Sequence, residues 1–285
     1  MSLISVDELA AKLAADTDDT DDLVVCDVRW YLDDADRGRR EYDEAHLPGA
    51  RFVALHHDLA GTEGGGRHPP PPVEAFAKVL GRLGVRPGSF VVAYDAAGGG
   101  TASRLWWMLR SVGHGRVAVL DGGYPAWVAA GHRVTAEVPD VAETTPPTGS
   151  EWTGIVDADA VDQSVEFGGT VVDARAPERY SGETEPIDAR AGHIPGAINR
   201  FHADTIGTDG LHKDTARLSE HFAGVGPNPI VYCGSGVTAC HTLLAMSMVG
   251  LEGRLYPGSW SEYSVIRVEH GDRGVRDVPP HQSQP

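Results

Sequence analysis

Ile230-Val231-Tyr232-Cys233-Gly234-Ser235-Gly236-Val237-Thr238-Ala239-Cys240-His241 opens on a short β-branched and aromatic run that stops at a cysteine. Two glycines follow within three residues, and then a helix-favouring apolar run from Ala239 to Met248. This order predicts a strand, a tight loop, and a helix whose N-terminus points back at the Cys233 sulfur. The unpaired N–H groups and dipole of a helix start favour negative charge on such a sulfur. Gly234 and Gly236 let the loop curl so that successive N–H groups face inward as an anion-binding nest. Ser235 and Thr238 can add hydroxyl donors. The local reading is a nucleophilic cysteine in a cradle for anions.

Working outward, the same unit occurs twice. Leu23-Val24-Val25-Cys26-Asp27-Val28-Arg29 is a buried strand ending in Asp-x-Arg, and His46-Leu47-Pro48-Gly49-Ala50 begins 19 residues after Asp27. Thr170-Val171-Val172-Asp173-Ala174-Arg175 repeats the strand, and His193-Ile194-Pro195-Gly196-Ala197 begins 20 residues after Asp173. Ser89 to Asp95 matches Pro229 to Cys233, and Val117 to Gly123 matches Arg254 to Gly258. Strands alternating with helices predict an α/β fold, each half a mainly parallel sheet with helices on both faces. The expected division is a first domain over 1–134, a Pro/Thr/Glu/Gly-rich linker over 135–153, a second domain over 154–270, and a mobile tail over 271–285.

Composition narrows the function classes. A net charge of −17 argues against partners such as nucleic acid or anionic membranes. No apolar run approaches the roughly 18 residues that span a bilayer, and the first residues lack the basic and apolar regions of a signal peptide. Three cysteines do not suggest a disulfide framework. A reducing cytoplasm is expected. The adjacent His56 and His57 would face opposite sides of a strand, and Cys233 and Cys240 lack zinc spacing, so no metal is expected. Lysine occurs only at positions 12, 78 and 213, so an arginine must supply the local positive charge for an anionic substrate.

The duplication also serves as a control. Asp27/Asp173, Arg29/Arg175 and His46/His193 occur in both halves and are assigned to the fold, as strand-end ion pairs and turn-stabilising histidines. Asp95 stands where Cys233 stands; it cannot be a sulfur nucleophile and would repel an anion, so the first half is expected to be catalytically silent. Cys26 and Cys240 read as packed small hydrophobes.

The Cys233-Gly-Ser-Gly-Val-Thr loop, the paired Asp-x-Arg strand ends and the two His-x-Pro-Gly turns resemble the two-domain rhodanese (sulfurtransferase) family. Leu120-Asp121-Gly122-Gly123 and Tyr256-Pro257-Gly258-Ser259-Trp260-Ser261-Glu262-Tyr263 extend the match over nearly the whole chain. The loop is similar to that of the family's 3-mercaptopyruvate sulfurtransferases; thiosulfate sulfurtransferases usually carry two cationic residues where Gly234 and Ser235 stand. The resemblance implies two tandem rhodanese-like domains and no cofactor. It implies a Cys233 persulfide formed from a small anionic sulfur donor and passed to cyanide, a small thiol or a thioredoxin-like protein. Within it Cys233, Ser235 and Thr238 would be catalytic, and Gly234, Gly236 and Val237 would cradle the sulfur.

For the donor carboxylate the resemblance implies two arginines. Arg179 matches the first. The second position is Ile187, within Glu185-Pro186-Ile187, and Arg190 is the nearest replacement. Gly66-Arg67-His68-Pro69 supplies the family's loop histidine at His68, with Arg67 a further positive charge, whereas the accompanying aspartate position holds His56. Cysteine phosphatases share the strand–cysteine–loop–helix order but need an arginine six residues after the cysteine, where this chain has Ala239. The remaining alternatives are a thiosulfate:cyanide sulfurtransferase and a non-enzymatic binding or sulfur-carrier module.

Overall fold

The computed structural model describes residues 2–15, 23–146, 149–267 and 276–277. The chain divides into two compact units. The first comprises Met1–Gly61, Pro71–Thr153 and Thr208–His212; the second comprises Thr62–Pro70, Gly154–Gly207 and Lys213–Pro285. Each unit thus includes a short segment from the other half of the sequence. Both segments follow shortly after a His-x-Pro-Gly turn.

The strands of the first unit are β1 (Leu3–Ile4), β2 (Leu23–Asp27), β3 (Arg51–Phe52), β4 (Phe90–Tyr94) and β5 (Val117–Leu120). They form one parallel sheet in the order β1-β5-β4-β2-β3. Around it run α1 (Val6–Ala14), α2 (Arg37–Glu44), α3 (Leu55–Asp58), α4 (Val73–Arg82), α5 (Ala102–Ser111) and α6 (Gly123–Ala129). Helix α1 starts where the sequence supplies a capping box: the Glu8 N–H donates to Ser5 Oγ, and the Ser5 N–H donates to the Glu8 carboxylate.

The second unit has β6 (Val171–Asp173), β7 (Arg190–Ala191), β8 (Ile198–Asn199), β9 (Ile230–Tyr232), β10 (Arg254–Leu255) and β11 (Arg276–Asp277). Its helices are α7 (Ala158–Glu166), α8 (Pro177–Tyr180), α9 (Thr215–His221), α10 (Thr238–Met248) and α11 (Ser259–Ile266), with a 3₁₀ turn at His202–Thr205. Its main sheet, β10-β9-β6-β8, is parallel and repeats the β5-β4-β2-β3 order of the first unit. An isolated parallel bridge from Ile155 to Leu255 stands where β1 joins β5. The expected α/β fold of two similar parallel-sheet domains is the one observed.

The two central helices, α5 and α10, follow the two equivalent loops and are buried on nearly every side. That burial explains the absence of a polar stripe in Ala239 to Met248. Each unit has its own apolar core, built around Val25, Val92, Tyr94, Leu120 and Trp127 in the first and Val171, Ile230, Tyr232, Tyr256 and Trp260 in the second.

The repeated polar residues hold the sheet ends. Asp27 pairs with Arg29 and Asp173 with Arg175, each at 2.7 Å and fully buried. His46 Nδ1 donates to the Tyr42 carbonyl and its ring stacks on Tyr42; His193 does the same with Tyr180. These residues take the structural roles that their duplication suggested.

Two segments differ from the sequence reading. The stretch read as a linker is fastened along the first unit: Thr144 donates to the Gly81 carbonyl, Trp152 Nε1 to Pro71, and Thr153 Oγ1 to Ser111. A side chain at Gly81 would lie 2.4 Å from the Thr144 carbonyl oxygen, so the glycine makes that approach possible. Of the tail read as mobile over 271–285, only Arg276–Asp277 lie among the described residues, and they pair antiparallel with Arg190–Ala191. The acidic stretch from Asp16 to Asp22 lies outside the described residues.

Candidate active site

Cys233 directly follows β9 and is 2% exposed. Its Sγ accepts the Gly236 N–H at 3.1 Å. Gly236 has φ +79°, and an added Cβ would sit 2.6 Å from the Pro257 carbonyl oxygen, so only glycine fits both the turn and the wall behind it. The loop is clamped to the start of α11: the Cys233 N–H donates to Ser259 Oγ, Trp260 N–H to the Cys233 carbonyl, and Ser261 N–H to the Gly234 carbonyl. Ser259 is itself left-handed, at φ +53°, and fully buried. Val237 caps α10, with Thr238 as its first residue. Ser235 and Thr238 are half-buried on the same loop. The Cys240 thiol donates back to the Gly236 carbonyl at 3.3 Å, the packed role expected of it. Burial pushes the Cys26 thiol up to about 12, which keeps it protonated and inert.

Two guanidinium groups stand over the loop. A Cβ built on Gly234 would meet Arg67 Nη2 at 2.8 Å and Arg179 Nη1 at 3.5 Å. Arg179 comes from α8. Arg67 comes from Thr62–Pro70, the first-half segment that belongs to the second unit. That segment is seated on α11: the Arg67 N–H donates to Ser261 Oγ, and a side chain at Gly66 would strike the Gly258 carbonyl. His68, on the same segment, is buried at 5% exposure, which excludes a solvent-exposed loop histidine.

Both arginines share Asp188. Arg67 Nη1 pairs with its Oδ1, and Arg179 Nη2 with its Oδ2 at 3.1 Å. Arg179 also grips Glu185, at 2.6 Å, and Glu185 in turn meets Arg175 at 3.2 Å. A chain of charge, buried at Asp173, Arg175 and Glu185 and partly exposed at Arg179 and Arg67, therefore runs from the sheet end to the edge of the cysteine loop. Burial raises the Asp188 carboxyl above the ordinary carboxylate range, opposed first by Arg67.

Arg190 is the sequence-based replacement for the arginine lost at Ile187. It lies in β7, with Nη1 donating to the Ser264 carbonyl at 2.6 Å. The guanidinium atoms nearest Gly234 are those of Arg67 and Arg179. Asp188, Glu185, Ser259 and Ser261 were not singled out as site residues by the sequence; the charge of Asp188, two residues from Arg190, was the one signal that could have drawn attention to its surroundings.

The twin loop in the first unit is filled. Asp95 Oδ1 accepts the N–H groups of Ala97 and Gly99, and Oδ2 accepts those of Thr101 and Ala102 together with Thr101 Oγ1, all between 2.8 and 3.1 Å. The expectation that Asp95 repels anions becomes more specific: its carboxylate is the anion, and it occupies the nest of its own loop.

Two parallel sheets of one strand order, each with a loop curled around a single negative or nucleophilic side chain, define a duplicated rhodanese-like architecture. The chain belongs to the rhodanese family: the Rhodanese-like domain matches residues 5–130 and 157–265. SseB of Mycobacterium tuberculosis, whose name assigns thiosulfate sulfurtransferase activity provisionally, is 40% identical over 281 residues, 96% of this chain and 97% of that protein. The human 3-mercaptopyruvate sulfurtransferase is 34% identical over 260 residues, covering 85% and 84%. The structure of 3-mercaptopyruvate sulfurtransferase from Leishmania major superposes with a TM-score of 0.82 at 28% identity, covering 93% of this chain and 75% of that one. The relatives are thus sulfurtransferases named for either donor.

Proposed function

We propose that this protein is a sulfurtransferase that takes sulfur from 3-mercaptopyruvate onto Cys233 and passes it to cyanide, a small thiol or a thioredoxin-like protein. The observation that carries this reading is the Cys233 sulfur in a glycine loop beneath the Arg67 and Arg179 guanidinium groups. The deprotonated Cys233 sulfur attacks the donor sulfur. The carbon–sulfur bond breaks, the electron pair goes to carbon, and the donor thiol proton ends on that carbon, giving pyruvate and a Cys233 persulfide anion. The Gly236 N–H donates to the sulfur whose charge must be held through both steps, and α10 begins two residues further on. Arg67 and Arg179 orient the carboxylate bidentately, and Ser235, Thr238 and His68 are the candidates for moving the proton. Cyanide then takes the outer sulfur as thiocyanate and returns the Cys233 thiolate. The first unit, with Asp95 in its loop, has no part in the transfer. Three free cysteines suit work in a reducing compartment, which we take to be the cytoplasm.

Thiosulfate is the second reading, favoured by the name of the SseB relative. It loads the same sulfur and releases sulfite. Intact-mass spectrometry after incubation with each donor tests the proposal. One added sulfur is expected, and it is lost in Cys233→Ser. Arg67→Ala and Arg179→Ala should each raise KM for mercaptopyruvate. No adduct with either donor overturns the function, and an unchanged KM removes the corresponding arginine from the donor site.

A further inference from the structure

Six charged side chains near the cysteine loop pair off among the described residues. Arg67, Arg175 and Arg179 are matched by Asp173, Glu185 and Asp188. The three carboxylates differ in how they are held. Asp173 also accepts the Arg175 N–H, and Glu185 accepts those of Ile187 and Asp188, so both serve the local backbone. Among the described residues, the Asp188 carboxylate accepts its hydrogen bonds from the two guanidinium groups that stand over Gly234. It is 6% exposed, so bulk water screens it poorly.

We infer that Asp188 sets the charge of the donor this site accepts: it discriminates against doubly charged sulfur donors and so favours a monoanionic organic one. The inference rests on the sulfurtransferase reading above and deepens it. A donor that reaches Arg67 and Arg179 comes within a few ångströms of the carboxylate they already share. Coulomb repulsion scales with the donor's charge, so a dianion such as thiosulfate meets twice the penalty of mercaptopyruvate. Asp188 acts through the two arginines and is a positioning residue that determines specificity.

Asp188→Asn removes the charge and keeps the shape and an acceptor oxygen for one guanidinium. Its kcat/KM ratio, thiosulfate over mercaptopyruvate, should rise by about tenfold, as expected for one unit charge a few ångströms away in a partly buried site. The rise should lie in KM and shrink as salt is added. Asp188→Glu keeps the charge and should keep the wild-type ratio. A ratio unmoved in Asp188→Asn, or moved equally in both variants, overturns the inference. Should Asp188→Asn fail to fold, the wild-type protein gives the same test: pyruvate should inhibit sulfur loading at lower concentration than sulfate, and the reverse order overturns the inference. Wild-type protein that takes sulfur from neither donor refutes the function itself, so the two failures are distinguishable.

Discussion

Gly236→Ala tests whether the loop geometry, and not the mere presence of a cysteine, makes the site. Gly236 has φ +79° and Gly224, in the same unit, has φ +80°. A methyl group at Gly224 meets nothing within 4 Å, whereas at Gly236 it lies 2.6 Å from the Pro257 oxygen and 3.0 Å from its Cα. Both substitutions carry the left-handed penalty of about 1–2 kcal/mol. Only Gly236→Ala adds a clash with backbone, about 1–3 kcal/mol more by the cost of overpacking. Relief of that clash moves the Gly236 N–H away from the sulfur it holds at 3.1 Å. Loss of one such donor slows a reaction that develops negative charge by roughly 10²–10³-fold. Single-turnover loading with mercaptopyruvate, read by intact mass, gives the rate, and thermal unfolding gives the stability. Gly224→Ala should load sulfur within about twofold of wild type, because no donor to the reacting sulfur is lost. If the two variants load at the same rate, the cradle argument is refuted.

Asp95→Ala should lower the stability of the first unit by at least about 3 kcal/mol, because several loop donors lose their acceptor together; hydrogen exchange across 95–104 reads the effect, and unchanged protection would show that the carboxylate is not holding that loop. His114 is 9% exposed and its Nε2 lies 2.9 Å from the Ser89 carbonyl. Burial holds its pKa below the ordinary value of 6.5. The unfolded chain therefore binds the proton first as the solution is acidified. Stability should be steady above pH 6.5 and fall below it, with a slope up to about 1.4 kcal/mol per pH unit for each such imidazole. His202 and His221 are shifted in the same direction. Denaturant midpoints from pH 5 to 8 should show a shallower fall in His114→Gln, and identical curves would remove His114 from the account.

The repeat, the strand ends and the cysteine loop were legible because their signals are local. A β-branched run that stops at Cys233 or Asp95, followed by glycines and an apolar helix, carries its own conformation. The ion pairs Asp27–Arg29 and Asp173–Arg175 span two residues and need no distant partner. Arg67 was legible only as a nearby charge, because Thr62–Pro70 has no periodicity. Its place is set by contacts almost two hundred residues away in sequence, at Ser261 and Gly258. Arg190 illustrates the converse. Closeness to Ile187 in sequence said nothing of the β7 strand that carries its guanidinium to Ser264. Ser259 gave no signal, since left-handed backbone is expected of the adjacent Gly258 and not of a serine.

The exchange of short segments between the halves bears on how such a chain can be shortened. A gene fragment encoding only the second repeat would keep Cys233, Arg179 and the loop, yet it would lack Arg67 and His68, which are encoded before the first repeat's own Asp95. A fragment of the first repeat would likewise lack His212, whose ring and backbone both bond to Asp121. Neither copy is a complete module. A half whose own loop holds Asp95 in place of a cysteine still supplies Arg67 beside Gly234, so the two copies can diverge in sequence but not separate.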